Sequence, residues 1–311
     1  MLREVLLSAS RSTGLRHLVE TAPGSRQVVR RYVPGTGAQD ALRACRELTA
    51  AGLRTTLDHL GEDTTDPEHA RAVRDAYVGV LNVLSEAGLT QGRRVEVSVK
   101  LSAVGQALGP DGEKIALENA RAICDAAAAA GTTVTLDMED HTTTDSTLEV
   151  LRDLRQDFPW VGAVLQAYLY RTEADCRDLA VEGSRVRLCK GAYNEPPSVA
   201  FASRQDVDRS YVRCLSVLLA GPGYPMVATH DPRLVAIAGA LAARNRRTPA
   251  DHEYQMLDGI RPDEQRRLAG EGETVRVYVP YGAEWYGYLM RRLAERPANV
   301  AFFLRSLLST R

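Results

Sequence analysis

Eight short apolar runs in this sequence end in, or carry, residues able to do chemistry. The first closes on Asp58-His59, the second on Lys100 and the third on Asp137-Met138-Glu139-Asp140-His141. The fourth supplies Gln166 and Tyr168, and the fifth supplies Arg187 and Lys190 followed by Gly191-Ala192-Tyr193. The sixth ends in Thr229-His230-Asp231, the seventh holds Glu253 and Gln255, and the eighth holds Tyr278. Buried ionisable groups are costly unless paired or functional. A ring of them converging at one place therefore marks a candidate site. The choice of cation is informative too. Lys occurs only at 100, 114 and 190, so Arg supplies 36 of the 39 basic residues, yet Lys100 and Lys190 stand inside apolar runs. A compact ammonium and a planar guanidinium are not interchangeable.

A second constellation lies nearer the C-terminus. Tyr288, Arg291, Arg292 and Glu295 follow the i, i+3, i+4, i+7 spacing that places four side chains on one helix face. Two guanidiniums on that face form a planar clamp for a small carboxylate, with Glu295 aligning them or meeting an ammonium on the substrate.

The elements that must position these groups alternate strictly. Strands are expected at 53–60, 95–101, 132–138, 161–168, 185–190, 225–230, 252–257 and 274–280. Helices are expected at about 66–88, 113–131, 143–157, 172–182, 198–220, 231–246, 262–271, 285–295 and 298–309. A further helix, 41–51, has Asp40 as its expected N-cap. Eight β-then-α units without a long polar linker predict a (β/α)8 barrel at 53–311, whose sites gather at the C-terminal ends of the strands. Residues 1–52 are expected to form a helical prefix, and the helix at 285–295 to fold over the barrel mouth. An open doubly wound sheet is the competing architecture, but no GxGxxG or P-loop follows the first strand.

Composition narrows the classes. The chain has 311 residues, 25% of them charged, with 39 Lys and Arg against 40 Asp and Glu. These proportions exclude a collagenous or broadly disordered chain and give no global basic field for nucleic acid. Five widely spaced Cys without a CxxC pair suggest structural thiols in a reducing compartment. The run Val5–Leu7 is too short for a signal peptide, and no stretch of about 20 apolar residues offers a membrane span. These features point to a cytoplasmic protein, with membrane contact at most peripheral, at the inner face.

From about Val33 onward the chain resembles monofunctional bacterial proline dehydrogenases. The resemblance rests on Val99-Lys100-Leu101-Ser102, Val186-Arg187-Leu188-Cys189-Lys190-Gly191-Ala192-Tyr193, Glu253-Tyr254-Gln255-Met256-Leu257, Val277-Tyr278-Val279-Pro280-Tyr281-Gly282 and the segment Tyr288 to Asn299. It implies a distorted (β/α)8 barrel with FAD bound without a Rossmann fingerprint. It also implies oxidation of L-proline to Δ1-pyrroline-5-carboxylate by hydride transfer to flavin N5, with a membrane quinone as electron acceptor. By the same resemblance Arg187, Gln166 and Met138 lie at the isoalloxazine. Lys190, Gly191 and Ala192 line the ribityl and phosphate region, and Thr229 and His230 also touch FAD. Lys100, Arg291 and Arg292 would hold the substrate carboxylate, with Tyr193, Tyr278 and Tyr288 walling the pocket and Asp137 and Glu295 orienting the charged groups.

The chain departs from the family pattern at Asp231, where Asn is usual, and after Leu257, where Asp258-Gly259-Ile260 replaces Tyr-Gly-Met. Asp231 is expected to cap the following helix rather than to oppose the cofactor. Two other readings stay open. One is a metal-dependent barrel hydrolase or lyase using Asp137, Glu139, Asp140, His141 and His230, although Asp140 cannot share a strand face with Asp137 and Glu139. The other is a flavin-binding proline sensor without turnover.

Overall fold

Strand β2 (Val95–Lys100) is buried at every position, although it carries Glu96, Ser98 and Lys100. Only a strand covered on both faces behaves this way, as in a parallel sheet wrapped by helices. Successive side chains alternate between faces, so Val95, Val97 and Val99 meet the helices while Glu96, Ser98 and Lys100 point inward. The structure, a computed structural model, describes Val29 and residues 32–295, except the side chains of 291 and 293–295.

The other strands are β1 (Arg54–His59), β3 (Val134–Asp137), β4 (Gly162–Gln166), β5 (Arg185–Cys189), β6 (Tyr224–Ala228), β7 (Glu253–Leu257) and β8 (Val275–Tyr281). They pair in sequence order, and β8 closes on β1 in parallel, with Arg54 opposite Arg276 and His59 opposite Tyr281. The expected (β/α)8 barrel is the observed fold, and each expected strand lies within a few residues of its observed counterpart.

The helices are α1 (Ala38–Ala50), α2 (Pro67–Glu86), α3 (Gly112–Ala129), α4 (Thr144–Asp157), α5 (Thr172–Leu179), α6 (Arg204–Ala220), α7 (Pro232–Arg244), α8 (Pro262–Gly270) and α9 (Trp285–Glu295). Two start elsewhere than the sequence suggests. Helix α1 begins at Ala38 with Gly37 as N-cap; Asp40 is its third residue and its carboxylate accepts from the Gly37 N–H at 3.3 Å. Asp40 thus acts as the acidic half of a capping box rather than as the cap. Helix α6 begins at Arg204, not 198, because Ala200 bridges antiparallel to Leu169, Phe201 N–H donates to the Tyr168 carbonyl, and Ser203 caps the first turn by accepting from Asp206 N–H. The expected helix at 298–309 lies outside the described residues.

Helix α1 packs against β1 and β8, on the outer wall at the seam where the barrel closes. The helix that follows β8 goes elsewhere. Leu289 and Met290 of α9 pack with Tyr32, Val33 and Leu60 in a small second core, while Tyr288 and Arg292 line the cavity at the barrel mouth. Four of the five cysteines are buried and Cys189 is partly so; all are free thiols.

Candidate active site

The inward-facing residues of the strands form polar columns. At the lower end Glu96 meets Arg185 at 2.7 Å, and Arg276 meets Glu253 at 2.7 Å and Glu96 at 3.6 Å. One step up, the Arg187 guanidinium donates to Ser98 Oγ at 2.8 Å, to Asp137 at 2.6 Å and to Gln255 Oε1. Ser98 Oγ and Tyr278 Oη each donate to Asp137 at 2.7 Å. At the top, Lys100 Nζ meets Asp58 at 2.7 Å, Tyr278 Oη at 3.4 Å and Asp137 at 3.8 Å.

This arrangement sets the charges. Burial alone would raise the Asp137 carboxyl, but Arg187 and Lys100 outweigh it and hold the group below the usual carboxylate range. Burial would likewise weaken the Lys100 ammonium, yet Asp58 and Asp137 hold it well above the ordinary lysine range. The two carboxylates thus favour the charged form of Lys100. Tyr278 stays protonated because burial, then the nearby carboxylates, push its phenol well up.

These groups form part of the wall of a cavity of about 1130 Å³ at the C-terminal ends of the strands. Of the residues singled out in the sequence it brings together Asp58, Lys100, Asp137, Met138, Gln166, Arg187, Lys190, Gly191, Ala192, Tyr193, Thr229, His230, Asp231, Gln255, Tyr278, Tyr288 and Arg292. Tyr288 and Arg292 reach it from α9, with the Arg292 guanidinium 5.2 Å from the Tyr288 ring centre. The side chains of Arg291 and Glu295 lie outside the described residues. Gln166 is fixed by donating to the Glu139 carbonyl at 2.6 Å. Tyr168, another strand-end residue, lies beneath the Gly191 turn instead of on the cavity wall.

Toward the β5 and β6 side, Lys190 pairs with Asp208 and lies 3.4 Å from Asp231. Asp231 caps α7 by accepting from the Arg233 N–H at 3.0 Å, the role expected for it. Its carboxyl is held far below the usual range by the Arg233 side chain. At the β3 exit, Asp140 caps a short turn, and Glu139 turns onto Ser102, accepting from its Oγ at 2.8 Å. Burial pushes the Glu139 carboxyl up to about 7. Among the described residues no group of three His, Cys, Asp or Glu is placed to hold a metal ion.

Sequence reasoning places Asp58 in the ring of strand-end groups without naming its partner and leaves Ser98 out; the two complete the network. Ser98 has a usable signal, since it alternates with Glu96 and Lys100 on β2. Asp58 is visible at the first strand end, but its partner lies 42 residues away.

A closed parallel barrel with paired charges around a cavity at its C-terminal mouth defines a barrel enzyme of the class that binds small substrates between its βα loops. A sequence model of the family described as proline dehydrogenase matches residues 41–305. The chain is 38% identical over 308 residues, 99% of each chain, to "Proline dehydrogenase 1" of Bacillus subtilis (strain 168). It is 40% identical over 280 residues, 89% of each, to the proline dehydrogenase of Deinococcus radiodurans. The chain belongs to the proline dehydrogenase family.

Among solved structures the fold is similar to proline utilization A of Bdellovibrio bacteriovorus inactivated by N-propargylglycine, with a TM-score of 0.81 and 24% identity over 95% of this chain and 36% of that one. It is also similar to proline utilization A of Bradyrhizobium japonicum, with a TM-score of 0.73 and 24% identity over 89% of this chain and 32% of that one. The chain spans about a third of the length of these larger proteins, and the likeness is one of fold. No helix among the described residues is long and apolar enough to cross a membrane.

Proposed function

We propose that the chain oxidises L-proline to Δ1-pyrroline-5-carboxylate using FAD held in the mouth cavity, with a membrane quinone as final acceptor, as the first step of proline catabolism. Residues 53–311 carry this chemistry and residues 1–52 form a supporting prefix. The observation that carries the reading is the buried Lys100–Asp137–Arg187 set on the wall of a cavity far larger than one amino acid can fill. Ligand pockets commonly hold roughly 300–1,000 Å³, so this one has space for a dinucleotide beside the substrate. Gly191 supports the fit: its φ of 113° and its close seat on the Tyr168 ring require glycine there, and the turn so formed lies on the cavity wall.

In this reading Gln166, Arg187 and Met138 flank the isoalloxazine, Lys190, Gly191 and Ala192 hold the ribityl and phosphate portion, and Thr229 and His230 complete the cofactor contacts. When bound, FAD supplies the two-electron acceptor for hydride leaving the proline ring carbon. Lys100, Arg291 and Arg292 hold the substrate carboxylate. Their combined charge favours loss of the substrate's ammonium proton to water, which frees the nitrogen lone pair that assists hydride departure. Asp137 keeps Arg187 and the Tyr278 hydroxyl in place, and Arg187 supplies positive charge where reduction adds negative charge. Tyr193, Tyr278 and Tyr288 exclude water from the substrate, and Glu295 aligns the arginines of its helix. Catalysis needs only transient contact with the membrane that holds the quinone.

The test is an anaerobic absorbance spectrum of the purified protein before and after L-proline. A flavin spectrum that bleaches supports both cofactor and substrate. A flavin spectrum that persists would point to the sensor reading, and no flavin after reconstitution with FAD would remove the cofactor assignment. Stimulation of steady-state turnover by a quinone analogue tests the acceptor.

A further inference from the structure

The turn that presents Gly191 to the cavity is not held by strand β5 alone. Directly under it lies the ring of Tyr168; a Cβ at residue 191 would fall 2.3 Å from that ring. The ring's height therefore sets where the turn can sit. The Tyr168 hydroxyl accepts a backbone hydrogen bond from Tyr193 and donates to Glu195 at 3.0 Å. The Glu195 carboxylate is almost fully buried, with 2% of its side chain exposed, and its partners lie on two other loops. One oxygen takes both the Tyr168 hydroxyl and the His141 backbone N–H, the latter at 2.9 Å; the other meets the His141 ring nitrogen. Glu195 thus ties together the exits of β3, β4 and β5. It lies outside the cavity wall, and the chemistry proposed above gives it no part. A buried carboxylate whose partners come from separate loops is costly to assemble unless the geometry it fixes is needed.

We propose that Glu195 is a positioning residue for the cofactor, fixing the 190–193 turn through the Tyr168 hydroxyl and anchoring both to the β3 exit through His141. The inference rests on the flavin reading above. The neighbouring segment reinforces the same tie: Leu169 and Ala200 form an antiparallel bridge, and Tyr168 N–H donates to the Lys190 carbonyl at 2.9 Å. Glu195 links this assembly to His141, so its removal frees the turn without unmaking the strands.

Glu195→Leu keeps most of the volume and removes both acceptor oxygens, so the Tyr168 hydroxyl and the His141 N–H lose their shared partner. The variant should bind FAD at least tenfold more weakly by flavin fluorescence quenching, with proline KM at saturating FAD changed by a smaller factor. Tyr168→Phe, which keeps the ring and removes the hydroxyl, should weaken FAD binding in the same direction by a smaller factor. Hydrogen exchange of the 190–203 amides, measured without cofactor, should quicken in Glu195→Leu while the amides of β1, β2 and β8 keep their protection. Unchanged FAD affinity together with unchanged exchange at 190–203 overturns the proposal. Loss of protection across the whole barrel also overturns it, by making Glu195 a stability residue. Should the parent itself bind no FAD, the cofactor reading fails, and the exchange comparison still decides whether Glu195 holds the turn.

Discussion

The lower and upper ends of the barrel interior carry the same kinds of charge and use them differently. Below, Glu96, Arg185, Glu253 and Arg276 pair with one another and with Thr133, Tyr224, Gln255 and backbone carbonyls, away from the cavity. Above, Asp58, Lys100, Asp137 and Arg187 are just as tightly paired, yet all four line the cavity. Arg187 joins the two tiers, touching Asp137 above and approaching Glu96 to 3.9 Å below. Ion pairing alone does not mark a site; what marks it is pairing on a wall that a ligand can reach. The lower tier acts as a fixed foundation that keeps Arg187 upright for the upper one.

The contrast can be broken at either end. The largest effect is expected for Arg276→Met, which leaves Glu96 and Glu253 short of a buried partner and should cost about 3–5 kcal/mol in urea unfolding. Adding Glu253→Gln to that variant should recover much of the loss; no recovery would mean that packing, not charge, holds the lower tier. Next comes Arg292→Met at the mouth. It should lower kcat/KM for proline by the equivalent of about 2–5 kcal/mol, while the melting temperature stays near the parent's. Unchanged turnover at low proline would remove Arg292 from the carboxylate clamp.

Asp58→Asn sharpens the upper tier. It removes the 2.7 Å partner of Lys100, whose ammonium burial already opposes. The Lys100 pKa should fall, so kcat/KM should drop about tenfold and its alkaline decline should begin at lower pH than in the parent. A last effect, read on stability rather than on turnover, concerns Glu139. Its folded pKa, raised to about 7 by burial, lies above the unfolded value. The folded chain therefore binds more protons between about pH 5 and 7, and stability contributed by that proton is lost as pH rises through this window. Glu139→Gln should flatten the fall in melting temperature between pH 5.5 and 8, by the equivalent of at most about 3 kcal/mol. Asp258, raised to about 6 by burial, should leave a residual slope.

Most of the barrel is legible in the sequence because its strands are short apolar runs closed by turn residues, and because inward polar positions recur every second residue. Lys100, Arg187 and Tyr278 can be found in this way. The start of α6 is hard to place because the path of the segment from 198 to 203, a turn and then a bridge from Ala200 to Leu169, is set by a partner well upstream in the sequence, and only the Ser203 cap is local. Asp58, Ser98 and Glu195 are harder for the same reason. Their importance lies in partners 42, 39 and 54 residues away, and no local pattern encodes such distances. Asp231 shows the opposite case: its position before Pro232 identifies the cap from local sequence alone.

The seam between β1 and β8 has a consequence for how the molecule is made. Arg276 donates to the Thr55 carbonyl across 221 residues of sequence, and Lys100 meets Tyr278 across 178. Contacts of such separation slow folding, since the intervening chain must be ordered before they reward it. During synthesis the first seven strands emerge as an open sheet whose β1 edge has no neighbour, and that edge invites pairing with other chains. Helix α1, made before the strands and packed beside this edge, is placed to shield it until β8 arrives. With β8 come both Tyr278, which completes the upper tier on Asp137, and Arg276, which completes the lower tier on Glu253.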